Sequence, residues 1–209
     1  ERISPEESVF NYKPGTKAFL SLGQGDFREW LGTLLPNTRL IIEPKIIGMS
    51  IGIQYRDGKL NKAINKNSED ITEKVRSIRS IPKTLAIKNI IEIRGVLFDD
   101  ENISYKYDES EFFVLQKNPK DLKKLRFCAF QIFHCKINQF QALQELKNLG
   151  FEITQTQFTK FISDIEIYLQ CWKEGKLFNS YPTNGIVLKI NSRKLQKYLG
   201  ENNLSINWA

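Results

Sequence analysis

The run Ile41-Ile42-Glu43-Pro44-Lys45-Ile46-Ile47-Gly48 constrains this chain most. β-Branched residues favour extended backbone. Ile41 and Ile42 therefore predict a strand that runs up to Lys45, with a glycine three residues later. A lysine at a strand end, walled by Ile41, Ile42 and Ile46, is poorly solvated. Desolvation disfavours its ammonium form and moves its pKa toward neutrality, which makes an amine nucleophile. An ordinary strand with a snorkelling lysine has the same local pattern. The octapeptide alone does not choose between the two.

The remaining pattern predicts strands with interspersed helices. Asp26 to Leu35 reads as a short helix with Asp26 as its cap. Leu40–Glu43 and Met49–Tyr55 read as strands, and Arg56-Asp57-Gly58 turns the chain into a return strand, Lys59–Asn65. Ser68-Glu69-Asp70 predicts the cap of a helix over 71–77. Ile90–Phe98 and the aromatic-rich Leu125–Phe133 are predicted strands. Apolar residues at helical spacing predict helices over 137–149 and 163–174, stopped by Gly150 and Gly175. Gly185–Ile190 reads as a strand and Ser192–Leu199 as a basic helix before Gly200. The fold class is α+β: antiparallel sheets flanked by helices, in one domain spanning 1–209, with 1–18 as an N-terminal extension.

Composition narrows the partners. No run of about 18 apolar residues exists, so no membrane span is expected. No secretory signal is evident. Cys128, Cys135 and Cys171 are odd in number and lack paired spacing, which suits reduced core thiols in a cytoplasmic protein rather than a zinc site or disulfides. The single histidine, His134, leaves little for a histidine-based triad. The net charge of +7 favours an anionic partner, with basic clusters at Lys117 to Lys124 and Arg193 to Lys197. Such charge gives sequence-independent phosphate attraction that weakens with salt.

Several segments, taken in order, resemble the adenylation (nucleotidyltransferase) domain of bacterial NAD-dependent DNA ligases. Glu43-Pro44-Lys45 followed by Gly48 resembles the nucleophile signature, lysine-any residue-aspartate-glycine. Phe19-Leu20-Ser21-Leu22 resembles the segment before it, and Gly48 to Gly58 the strand and hairpin after it. Val75 to Pro82 resembles the family's arginine-isoleucine-proline segment, and Ile91-Glu92-Ile93-Arg94-Gly95 its glutamate-bearing strand. Leu125 to Phe130 resembles its aromatic strand, and Asn184 to Lys189 its second lysine strand.

The resemblance implies a nucleotidyltransferase fold and a role for each residue. Lys45 attacks the α-phosphate of NAD, forms lysyl-AMP and releases nicotinamide mononucleotide. Glu43 bonds the adenine, Ser21 and Leu22 close over the nucleotide, and Lys66 lies near the AMP. Glu92 binds the ribose hydroxyls and Phe130 stacks on the adenine, although a ring there also fits plain core packing. Lys189 neutralises the α-phosphate. The resemblance thus implies that Lys45, Glu92 and Lys189 converge. It also implies NAD as AMP donor, Mg²⁺ as an accompanying ion with no protein metal site, and nicked double-stranded DNA as partner of a monomer.

The chain departs from the family at named positions. Ile47 and Asn184 stand where the family has aspartates. Its glycine-rich loop is reduced to Asn65-Lys66-Asn67, its two-arginine segment to Gln116–Lys120, and Asn207 replaces an arginine before Trp208-Ala209. The family's small N-terminal domain is not evident in residues 1–18, and no oligonucleotide-binding barrel, zinc module or helix-hairpin-helix region is evident. Two readings follow. One is a divergent adenylation domain forming lysyl-AMP for nick sealing. The other is a catalytically impaired ligase-like module that binds nucleotide, DNA or a protein without transfer.

Overall fold

The computed structural model describes residues 21–22, 27–99, 118–133, 135–200, 205–206 and 209. In chain order the elements are β1 (Ser21–Leu22), α1 (Phe27–Gly32), β2 (Leu40–Ile46), β3 (Met49–Arg56), β4 (Lys59–Asn65) and α2 (Thr72–Ser77). There follow β5 (Ile91–Phe98), α3 (Pro119–Leu122), β6 (Arg126–Ile132), α4 (Gln139–Asn148), β7 (Glu152–Ile153) and β8 (Gln157–Thr159). The last elements are α5 (Ile162–Lys173), β9 (Thr183–Ile190), α6 (Arg193–Leu199) and β10 (Ser205–Ile206). These form two compact units, and the chain passes from one to the other between Ile46 and Ile47.

The first unit, within Ile47–Cys135 and Ala142–Thr154, holds a five-stranded sheet in the order β4-β3-β5-β6-β7. Its pairs are antiparallel except β6–β7, which is parallel. Alternation sends Ile51, Ile53, Ile93, Phe127 and Ala129 to one face, where Val75, Ile78, Leu143 and Leu146 join them in a buried core. Burying each such aliphatic side chain contributes about 1.5–3 kcal/mol. Asp57 and Gly58 have φ of 48° and 76°, the left-handed pair that a two-residue hairpin turn requires. Gly48 has a steric reason. A Cβ there would lie 2.5 Å from the Leu97 carbonyl oxygen and 2.6 Å from Val96 Cγ1, so β3 can begin against β5 only without a side chain.

The second unit, within Leu20–Ile46, Lys136–Gln141 and Gln155–Ala209, holds the three-stranded sheet β8-β2-β9 and the parallel pair β1–β10. Leu40, Ile42, Leu188 and Ile190 share one sheet face and form a core with Ile165 and Phe178. Side chains from α1, α5 and α6, including Trp30, Trp172, Leu195 and Leu199, pack against that core. α6 begins at Ser192, whose hydroxyl accepts from the Leu195 N–H, a cap contributing about 1 kcal/mol.

The expected elements are present with shifted ends. α1 spans only Phe27–Gly32, because the Thr33 N–H bonds the Trp30 carbonyl in a closing turn ahead of Pro36. Its expected cap, Asp26, lies outside the described residues. α2 begins at Thr72, where Asp70 Oδ1 accepts from both the Thr72 N–H (2.9 Å) and its hydroxyl (2.6 Å). β1, α3, β10, β7 and β8 are not among the expected elements; the last two show why. They are two and three residues long, too short for alternation to register.

Candidate active-site residues

In the second unit, β2 and β9 bring three expected residues onto one sheet face. The register pairs Ile41 with Lys189 and Glu43 with Val187, so Glu43 and Lys189 project to the same side. Lys189 Nζ donates to Glu43 Oε2 at 2.8 Å, and both side chains are almost fully buried. The pairing shifts between Pro44 and Ile46, which leaves Asn184 and Gly185 opposite Lys45. A Cβ at Gly185 would meet Lys45 Cδ at 3.7 Å and Cβ at 3.9 Å, so the stem of Lys45 runs beside Gly185. Gly185 alternates with Val187 and Lys189, which puts Lys45 on the face of the ion pair.

The apolar wall expected around Lys45 is therefore only partly built. Ile42 packs on the opposite face with Leu40 and Leu188, because successive residues of a strand alternate sides. Lys45 is half-buried, and the groups sharing its face are charged as well as aliphatic. Of the departures, Asn184 is exposed and Ile47 half-buried. Ser21 and Leu22 form β1, paired in parallel with Ser205 and Ile206.

The first unit carries the other expected residues. Glu92 lies on β5, opposite Gln54 of β3, and is 1% exposed. Gln54 Nε2 donates to Glu92 Oε1 at 3.2 Å, and Gln54 Oε1 accepts from Asn61 Nδ2 at 2.6 Å. The Glu92 backbone is held too, its carbonyl accepting from the Phe133 N–H at 2.9 Å. The Arg94 guanidinium covers the Phe133 ring at 4.1 Å. Phe130 is the extra residue of a β-bulge, since Arg94 pairs with Gln131 and Gly95 with Ala129. It is half-buried and stands outside the core that takes Phe127 and Ala129.

Lys66 sits in the turn after β4. Asn65 builds that turn: its Oδ1 accepts from the N–H groups of Asn67 and Glu69, both at 3.0 Å, and Nδ2 donates to Glu69 at 2.6 Å. Gln54 and Asn61 are not among the residues expected from the sequence. The signal available was a glutamine among the isoleucines of β3; its bonds to Glu92 and to Asn61 form only once β3, β4 and β5 are in register.

On α6, Leu195 and Leu199 face the core, while Lys194, Lys197 and Tyr198 are exposed, Tyr198 at 85%. Spacing of three and four residues places these three on one helical stripe. Among the described residues, no group of three or more His, Cys, Asp or Glu is arranged to hold a metal ion. No described helix is long and apolar enough to cross a membrane.

Comparison with known proteins agrees with the segment order. The profile of the NAD-dependent DNA ligase adenylation domain matches residues 17–110 and 114–209. A DNA ligase of Prochlorococcus marinus strain NATL2A is 32% identical over 208 residues, covering 81% of this chain and 30% of that protein. One from Metamycoplasma arthritidis is 30% identical over 196 residues, covering 80% of this chain and 29% of that protein. The chain thus spans about a third of the length of the curated relatives it matches. Among solved structures, the ATP-dependent DNA ligase from bacteriophage T7 in complex with ATP superposes with a TM-score of 0.53 at 12% identity, covering 83% of this chain and 62% of that one. A Lig E DNA ligase gives 0.53 at 16% identity, covering 87% and 63%.

Proposed function

Because this chain belongs to the NAD-dependent DNA ligase adenylation domain family, we propose that it moves AMP from NAD onto Lys45 as the first step of nick sealing. The Lys45 nitrogen forms a bond to the α-phosphorus of NAD. The bond from that phosphorus to the bridging oxygen breaks, nicotinamide mononucleotide leaves with the electron pair, and the amine proton passes to solvent. One observation carries the reading: Lys45 shares a sheet face with a buried Lys189 that Glu43 holds in place. A cation fixed beforehand stabilises the charge developing on phosphorus without reorganising during transfer.

The remaining roles rest on the family assignment. Glu92 accepts from the ribose hydroxyls, Phe130 stacks on the adenine, Lys66 attends the AMP, and Ser21 and Leu22 close over it. Glu43 serves Lys189 first and the adenine second, because a carboxylate has lone pairs for both. Mg²⁺ arrives with the nucleotide rather than in a protein cage, and no step is assigned to it. The partner is nicked duplex DNA in repair and replication, met by a cytoplasmic monomer. The Lys194–Lys197–Tyr198 stripe fits that partner, two cations for phosphates beside an exposed ring.

The test is intact mass after incubation with NAD and Mg²⁺, and separately with ATP. The expected result is one added AMP with NAD, lost in Lys45→Ala. No adduct from either nucleotide would support the impaired-module reading instead. In parallel, Lys194→Glu with Lys197→Glu should weaken nicked-duplex binding and reduce its salt slope by about two, roughly one per lost phosphate contact.

A further inference from the structure

We infer that Gln54, itself fixed by Asn61, is a positioning residue for Glu92 and sets how tightly the adenylate sugar is held. The inference rests on the role given to Glu92 above. Gln54 and Glu92 are directly opposed on β3 and β5, and both are buried. Their contact is a single bond, Gln54 Nε2 to Glu92 Oε1 at 3.2 Å. An ionised carboxylate only accepts, so Gln54 must offer its amide nitrogen. Its amide oxygen then points away, and that oxygen meets Asn61 Nδ2 at 2.6 Å.

Asn61 is in reach because of an irregularity in the ladder. Gln54 pairs with Lys62 and Tyr55 with Leu60, so Asn61 is the additional residue on β4. Two bonds in series leave Gln54 one orientation. Flipping its amide would set oxygen against carboxylate and NH₂ against NH₂. Glu92 is thereby aimed by a neutral donor. The charged side chains nearest in register are Lys62, opposite Gln54, and Arg94, two residues along β5. A neutral partner fixes the carboxylate's direction without adding a positive charge of its own. A cation in place of Gln54 would compete with the ribose hydroxyls for the same charge.

The experiment compares the 209-residue chain with Gln54→Leu, Asn61→Ala and Gln54→Glu. Two readouts are used: AMP affinity by calorimetry, and the concentration of NAD giving half-maximal lysyl-AMP formation. Gln54→Leu should weaken both by about tenfold, and Asn61→Ala by about threefold, the size expected for hydrogen bonds to charged and neutral groups respectively. The adenylation rate at saturating NAD should change far less. Gln54→Glu separates positioning from packing. Its protonated carboxyl can donate to Glu92 as the amide does, so nucleotide affinity should approach that of the wild type at low pH and fall as pH rises. A loss independent of pH in Gln54→Glu would indicate a packing role and overturn the inference. Unchanged AMP affinity in Gln54→Leu, with an unaltered circular dichroism spectrum, would also overturn it while leaving Lys45 transfer standing. AMP binding without any lysyl-AMP in the wild type sinks the transfer reading alone. A wild type that binds no AMP overturns both.

Discussion

Glu43 and Glu92 are both strand carboxylates with 1% exposure, one in each unit, and they are held in opposite ways. Glu43 meets an ammonium, Lys189, whereas Glu92 meets a neutral amide, Gln54. The difference predicts different consequences of losing the partner. Without Lys189, Glu43 becomes a buried charge with its counter-ion gone. Without Gln54, Glu92 loses one neutral donor from a carboxylate that never had its charge balanced by it. Burial alone does not say how much a carboxylate depends on its neighbour; the chemistry of the neighbour does.

The largest expected effect tests that contrast directly. Lys189→Met should destabilise the second unit by about 3–5 kcal/mol, the penalty for breaking a buried ion pair from one side. The double change Glu43→Gln with Lys189→Met should recover much of the loss, because removing both charges removes the desolvation cost with them. Urea unfolding of the three forms measures this. A cost below about 1 kcal/mol for Lys189→Met would place the pair among solvent-screened surface bridges and erase the contrast.

The second effect is on rate. Glu43 is committed to Lys189, and no carboxylate stands at Ile47 or Asn184 to orient Lys45. Positioning of a nucleophile is a large share of catalysis. Lysyl-AMP formation should therefore be slow in the natural sequence. Ile47→Asp with Asn184→Asp should raise it by about tenfold, or 1.4 kcal/mol of barrier. Asn184 is exposed and accepts a charge at little cost, while half-buried Ile47 carries the greater folding penalty. The measurement is single-turnover adenylation with Mg²⁺ in both forms. Fast transfer by the natural chain would show that Lys189 and Glu43 suffice.

Much of this was legible in the sequence where a local rule decides. Asp57-Gly58 fixed the hairpin because few residues accept its turn angles. The glycine after Lys45 was visible, although its reason, the Leu97 carbonyl 2.5 Å from a Cβ that is not there, comes from a strand far along the chain. Segment order singles out Lys45 as the candidate nucleophile, but the local pattern surrounds it with three isoleucines. Alternation sends Ile42 away and brings in Lys189, which lies 146 positions from its partner Glu43. Gln54 and Asn61 were invisible for the same reason. Their meaning lies in a register between three strands and one irregular pairing, neither of which a single strand's residues announce.

Another buried ionisable group, Tyr55, extends the comparison with the smallest expected effect. Its side chain is fully buried, packs edge-on to Phe151 at 6.0 Å, and its hydroxyl donates to the Pro82 carbonyl at 2.6 Å. Burial pushes the phenol well above its ordinary value, so this group, unlike Glu43, is accommodated by staying neutral. At neutral pH, Tyr55→Phe should cost about 0.5–1.5 kcal/mol, one hydrogen bond. In alkali that contribution declines. The unfolded chain ionises near pH 10, before the folded one, so the folded state then binds more protons and stability falls as pH rises. Lys83 acts in the opposite direction. Desolvation lowers its pKa, and its ammonium donates to the Val75 carbonyl at 3.2 Å and also to that of Ile78. The folded chain sheds that proton first, so this contribution grows as pH approaches the ordinary lysine value. Comparing wild type with Tyr55→Phe cancels the Lys83 contribution. The gap between their unfolding free energies, from urea titration, should shrink from pH 7 to about pH 10.5, by up to about 1.4 kcal/mol per pH unit above the unfolded phenol pKa. A gap that stays constant would mean that the folded phenol titrates as freely as the unfolded one. Tyr55 would then not be the neutral counterpart to the ion pair at Glu43.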